Sequence, residues 1–192
     1  MYETRYDAEG AREARRALER YYPKGVISLL AANGTKIVPL GTKMTYAQAS
    51  PALHRLSVNV DGWPVPPAGL FVVEERAVYL RSTSPMTVAH ESAHALDCAL
   101  GGGAYLSGQD VRIRKAFSDA RGFVTPYAAS GLDEYFAECV RAWVEANDAR
   151  SPWPAATRER LQRVDPAMFE IVGGIFAKFR AGEQITFALE AI

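Results

Sequence analysis

An excess of charge of either sign is missing from this sequence: 192 residues carry 22 Lys and Arg against 22 Asp and Glu, a formal net charge of zero. No basic stripe stands out that could neutralise a phosphate backbone, which argues against nucleic acid as a partner. Long hydrophobic runs are missing too. The stretch from Val26 to Ala32, interrupted by Ser28, falls far short of the roughly 20 apolar residues that cross a bilayer, so no membrane partner is expected. Cysteine is scarce, and Cys98 and Cys139 alone cannot build a disulfide scaffold; they read as buried thiols. Glu3, Arg5, Asp7, Glu9, Arg12 and Glu13 occupy the stretch where a signal peptide would be apolar. The chain therefore carries no expected leader, and a cytoplasmic protein or one delivered by a specialised route fits.

What is present is an ordinary globular composition, 48% hydrophobic and 23% charged, at a length that buries about two-thirds of the unfolded surface. One domain over 1–192 is expected, with a helix-and-sheet part at 1–83 and a helical part at 84–192. Ala11, Ala14, Leu18 and Tyr21 recur at helical spacing and predict an amphipathic helix ending before Pro23. Val26 to Ala31 and Lys36 to Leu40 flank Asn33-Gly34 and predict a β-hairpin. Thr45 to Leu56 is ambiguous around Pro51, and the proline-rich Val58 to Gly69 reads as loop. Leu70 to Val73 and Ala77 to Leu80 predict a second hairpin. Beyond Leu80 the period becomes helical: Ser84-Pro85 starts a helix that Gly101 to Gly103 closes, and further helices are expected at Asp110 to Ala120, Leu132 to Asn147, Ala155 to Val164 and Pro166 to Arg180, the last capped by Asp165. Strands first and helices after, without regular alternation, make the class α+β.

The segment that carries chemistry is His90-Glu91-Ser92-Ala93-His94, an HExxH sequence. Residues four apart on a helix share one face, so His90 and His94 can present two imidazole nitrogens to one Zn²⁺ while Glu91 reaches the water that the ion activates. The uncharged flanks, Val88, Ala89, Ala95 and Leu96, suit a buried active-site helix better than a pair of surface histidines. Catalytic zinc usually has three protein ligands, so one remains to be found. Six residues past His94 stands Leu100, and Asp97 replaces the turn glycine, which excludes the metzincin pattern. Asp97 itself lies in nearly the same helical direction as His90 and is placed behind the ligands or at the helix end. Glu134 and Glu138 stack one turn apart on a second helix whose apolar face is Leu132, Phe136, Cys139, Val140 and Trp143. Two readings stay open: one carboxylate on the metal and the next orienting a histidine, or two solvated residues of which one pairs with Arg141. His54 has no ligand partner near it in sequence and reads as structural.

These residues resemble the gluzincin metallopeptidases, the family of anthrax lethal factor and the bacterial Pro-Pro endopeptidases. Three pieces match: His90 to His94 followed by Ala95-Leu96-Asp97, the glutamate helix Glu134-Tyr135-Phe136-Ala137-Glu138, and Tyr127, seven residues before Glu134. Nothing outside 70–180 matches. The resemblance implies a zincin-like fold, Glu134 as the third zinc ligand, and Tyr127 with its hydroxyl toward a substrate carbonyl. With Glu91 as general base the implied reaction is zinc-dependent cleavage of a peptide or protein, in a selective, toxin-like, phage or housekeeping setting. A zinc-binding module that recognises a partner without turnover is the rival reading, and the intact Glu91 counts against it. An extended substrate is expected along the edge of the Leu70 to Leu80 hairpin.

Overall fold

Ala14, Ala17 and Leu18 are all buried, so Ala8–Tyr21 forms an amphipathic helix, α1, with its apolar stripe against the core. The computed structural model describes residues 8–151 and 155–181; Glu3, Arg5 and Asp7 of the charged N-terminal stretch lie outside the described residues. α1 stops at Pro23, which then serves as the N-cap residue of a second helix, α2 (Lys24–Ala32).

α2 overturns the first expected hairpin. Val26 and Leu30, four residues apart, are both buried, and this face packs on the later helices. An apolar run broken only by Ser28 does not distinguish period 2 from period 3.6, and tertiary packing decided for the helix. Asn33-Gly34, read as a hairpin turn, instead closes α2. The Thr35 N–H bonds the Leu30 carbonyl at 2.9 Å and the Gly34 N–H bonds Ala31 at 3.0 Å, with Gly34 at φ 74°, the pairing of a Schellman cap.

The sheet has three strands, β1 (Lys36–Pro39), β2 (Gly69–Val72) and β3 (Ala77–Leu80), in the order β1-β3-β2. β1 runs parallel to β3, while β2 and β3 form the expected antiparallel hairpin, turned by a 3₁₀ segment at Val73–Glu75 with Arg76 left-handed at φ 50°. All of β3 is buried, as a central strand must be. Val78 and Leu80 enter the main core, whereas Ala77 and Tyr79 face a smaller core with Tyr46, Leu53 and Val60. The ambiguous stretch resolves into two short helices, α3 (Tyr46–Ala49) and α4 (Pro51–Arg55), capped by Thr45 and Ser50.

The helical half comprises α5 (Pro85–Leu100), α6 (Leu106–Gln109), α7 (Val111–Asp119), α8 (Leu132–Val144), α9 (Arg158–Val164) and α10 (Pro166–Ala181). Four residues of α6 are too short for a periodic signal and were not expected. Ser84 caps α5 through the Thr87 N–H, and Asp165 caps α10 through the Met168 N–H at 3.0 Å. α5 runs through the middle of the molecule, with α8 along one side and α1, β2 and β3 packed around it. Polar side chains on so buried a helix need partners or a task. Cys98 and Cys139 are buried and free. Among the described residues no helix is long and apolar enough to cross a membrane.

Candidate metal centre and active site

α5 stacks His90 over His94 with their Nε2 atoms 3.2 Å apart, and the first turn of α8 brings Glu134 Oε2 to 3.0 Å from His90 Nε2 and 3.4 Å from His94 Nε2. A tetrahedral ion with bonds of about 2.0–2.1 Å holds its ligand atoms about 3.3 Å apart, so the three separations suit such an ion. Glu134 Oε2 is buried yet accepts no hydrogen bond of normal geometry, which leaves its lone pair for a cation. These three residues, with ligand atoms within 4.8 Å of one another, form a possible metal-binding group.

Charge balances around this point. Burial works to lower the His90 pKa, but the Glu134 and Glu138 carboxylates outweigh it and hold the imidazole up at about 10. Burial would raise Glu134, and the His90 and His94 rings that face it instead hold it well below the usual carboxylate range. A cation at this point would have to displace a proton from His90 Nε2.

Glu91 points off α5 toward β2. It is buried, and the Phe71 backbone N–H bonds its carboxylate. Burial raises its pKa despite the pull of His90 and His94, as suits a proton acceptor. Tyr127 sits in a 3₁₀ turn (Tyr127–Ala129) at the cleft, 47% exposed, its ring 5.6 Å from that of His90. Its hydroxyl donates to Glu134 Oε1 at 2.8 Å. Burial and the Glu134 charge raise the phenol pKa, so it stays a donor.

Of the two open readings of Glu138, the structure places it inside: Oε1 lies 2.9 Å from His90 Nδ1, and Oε2 accepts from Thr125 Oγ1 at 2.5 Å. Arg141 does pair with it, but both side chains are buried. Burial would raise Glu138; hydrogen bonds from Arg141 and His90 hold it low. Asp97 turns elsewhere. Its two oxygens accept from the Ser107 backbone N–H at 2.8 Å and hydroxyl at 2.6 Å, while His94 Nδ1 is buried with no hydrogen-bond partner among the described residues. Asp97 thus ties α5 to α6 and does not hydrogen-bond a histidine. His54 is exposed on α4.

Burial pushes the Asp97 pKa up to about 7, so its charging weakens the fold by on the order of a few kcal/mol. Between the unfolded value near 3.9 and the folded one, the folded state keeps a proton that the unfolded state has released, and stability falls as pH rises. Asp97→Asn is expected to flatten the decline in melting temperature from pH 4 to 7 in metal-free protein. An unchanged slope would count against this burial effect.

Two further residues carry no marker in the sequence: Thr125 completes, with Arg141, the Glu138 contacts, and Gly69 of β2 lies directly on Glu91. Beside them a cleft of about 570 Å³ is lined by Trp63, Val65, Pro66 and Pro67 together with His90, Glu91 and Tyr127. Trp63 and Val65 are 54% and 83% exposed, giving the cleft an apolar rim.

No protein-family model matches this sequence, and no curated protein shows significant similarity to it. Among solved structures the chain is similar to the Pro-Pro endopeptidase from Paenibacillus alvei, with a TM-score of 0.61 and 20% identity over 90% of this chain and 94% of that one. What is shared at this identity is the architecture, an α+β fold with a small sheet and a helical second half.

Proposed function

We propose that this chain is a zinc-dependent metalloendopeptidase acting as one unit over residues 1–192. The observation that carries the reading is the convergence of His90, His94 and Glu134 on one point with the buried Glu91 carboxylate on the next residue of the same helix. Two imidazoles and one carboxylate suit zinc, which when bound supplies Lewis-acid polarisation of a carbonyl and a lowered pKa for the attacking water. Glu91 takes the proton of that water and returns it to the leaving amine. Tyr127 turns its hydroxyl from Glu134 to the oxyanion that develops on the substrate, a contact made in the transition state. Glu138 holds the Nδ1 side of His90, so that Nε2 faces the metal.

An extended peptide fits beside β2, the edge strand next to α5. Ala68 accepts from Arg81 and Ser82 on the β3 side, so by strand alternation the backbone groups of Gly69 and the carbonyl of Phe71 face the free edge. The apolar rim favours apolar substrate side chains. The fold neighbour is a Pro-Pro endopeptidase, which makes proline-containing peptides the specific class to try.

The test is cleavage of a proteome-derived peptide library by zinc-loaded protein, read by mass spectrometry. Expected are a defined set of cuts, lost with a chelator and restored by zinc, and a fall of about 10²-fold in kcat for Tyr127→Phe at nearly constant KM. A zinc-loaded protein that cuts nothing in the library would overturn the proposal, and Tyr127→Phe at the wild-type rate would remove the tyrosine from it.

A further inference from the structure

We propose that Arg141, together with Thr125, is a positioning residue for the metal centre: it clamps Glu138 so that His90 is held in one orientation. The inference rests on the metal-centre reading above. Glu138 Oε1 meets His90 Nδ1 at 2.9 Å and Arg141 Nε at 2.8 Å, while Oε2 takes Thr125 Oγ1 at 2.5 Å and Arg141 Nη2 at 2.7 Å. Both oxygens are thus held from two sides, and the plane of the carboxylate cannot turn without breaking the two-pronged guanidinium contact. With that plane fixed, the Nδ1–H of His90 has one acceptor position, and the ring can present Nε2 in only one direction.

Arg141 is itself fixed. Its Nη1 donates to the Ala146 carbonyl and Asn147 Oδ1, both at 3.2 Å, and Asn147 is tied to the Ala156 backbone N–H and carbonyl, each at 2.9 Å. A chain of contacts therefore runs from the segment after α8 through Arg141 and Glu138 to His90. A guanidinium serving only to balance charge would not need all three nitrogens placed. The sign of its effect separates the two roles. A positive group behind a cation site weakens metal binding by charge alone, so its removal strengthens binding if charge is all it contributes, and weakens binding if orientation is the task.

The test compares wild type, Arg141→Met, Arg141→Lys and Thr125→Val by competition of the metal-free proteins with a chromophoric chelator for zinc, and by the visible absorption of their cobalt forms. Arg141→Met is expected to bind zinc about 10- to 100-fold more weakly, the range for groups that orient a ligand histidine. Arg141→Lys restores charge without the planar fork and should recover only part of the loss. Thr125→Val leaves the ion pair intact and should still lose severalfold, with a changed cobalt spectrum. A folded Arg141→Met protein that binds zinc as tightly as wild type, or more tightly, overturns the clamp. If its near-ultraviolet circular dichroism shows that it has not folded, Thr125→Val decides, and unchanged affinity and spectrum there overturn the clamp. Wild type that binds no zinc overturns the metal centre itself, a result distinct from failure of the clamp alone.

Discussion

Replacing Glu91 by Gln is expected to lower peptide hydrolysis by about 10²- to 10⁴-fold while the protein still binds one zinc, a loss of roughly 2.7–5.5 kcal/mol of transition-state stabilisation. Gln matches Glu in size, and its amide oxygen can still accept the Phe71 N–H that now bonds the carboxylate. What it loses is the ability to take a proton. The metal-binding group is His90, His94 and Glu134, so the exchange leaves every ligand in place. Metal content by elemental analysis and an unchanged near-ultraviolet spectrum would show that only proton transfer was removed. A fall in kcat/KM together with loss of zinc would instead place Glu91 among the ligands. Hydrolysis at the wild-type rate would mean that another group takes the proton.

The features of this site that could be read from the sequence are those set by local geometry. His90 and His94 had to share a face because the helical period puts residues four apart in register, and Ser84, Pro85 and Gly101 marked the ends of that helix in the sequence. The β2–β3 hairpin was legible for a similar reason, since two short β-rich runs lie on either side of a turn. α2 was not, because Val26 to Ala31 is apolar at nearly every position and its partners on α5 and α10 lie far along the chain. Long-range placement also separates Glu138 from the solvated residue it could equally have been. Its pairing with Arg141 follows from a spacing of three on one helix, but whether that pair faces water or His90 depends on how α8 lies on α5. For Asp97 the helical direction suggested a histidine; α6, which packs Ser107 against it, took both oxygens.

Gly69 makes the least visible contribution to the site, and Gly69→Ala is expected to cost about 10²-fold or more in kcat with zinc binding retained. Glycine inside a strand weakens it and often marks a close approach of another group. A Cβ at this position would lie 2.5 Å from Glu91 Cγ, 2.9 Å from Thr87 Cγ2 and 3.0 Å from Glu91 Cδ. The backbone there is not left-handed, so alanine can adopt it and the conflict is purely one of space. β2 is held to β3 by its ladder, and Thr87 sits on the same wall of α5, which leaves the Glu91 side chain as the part that moves. Displacement of a reacting group by about 1 Å is enough for a loss of that size. Overpacking should cost about 1–3 kcal/mol of stability, small enough for the fold and the His90, His94 and Glu134 cluster to persist. The measurement is kcat beside zinc content and melting temperature. Full activity in Gly69→Ala would show that β2 can yield without disturbing Glu91, and the strand would then have no part in placing the base. Lost activity with zinc bound would show that the edge strand and the active-site helix are built to one tolerance, set by the absence of a single methyl group.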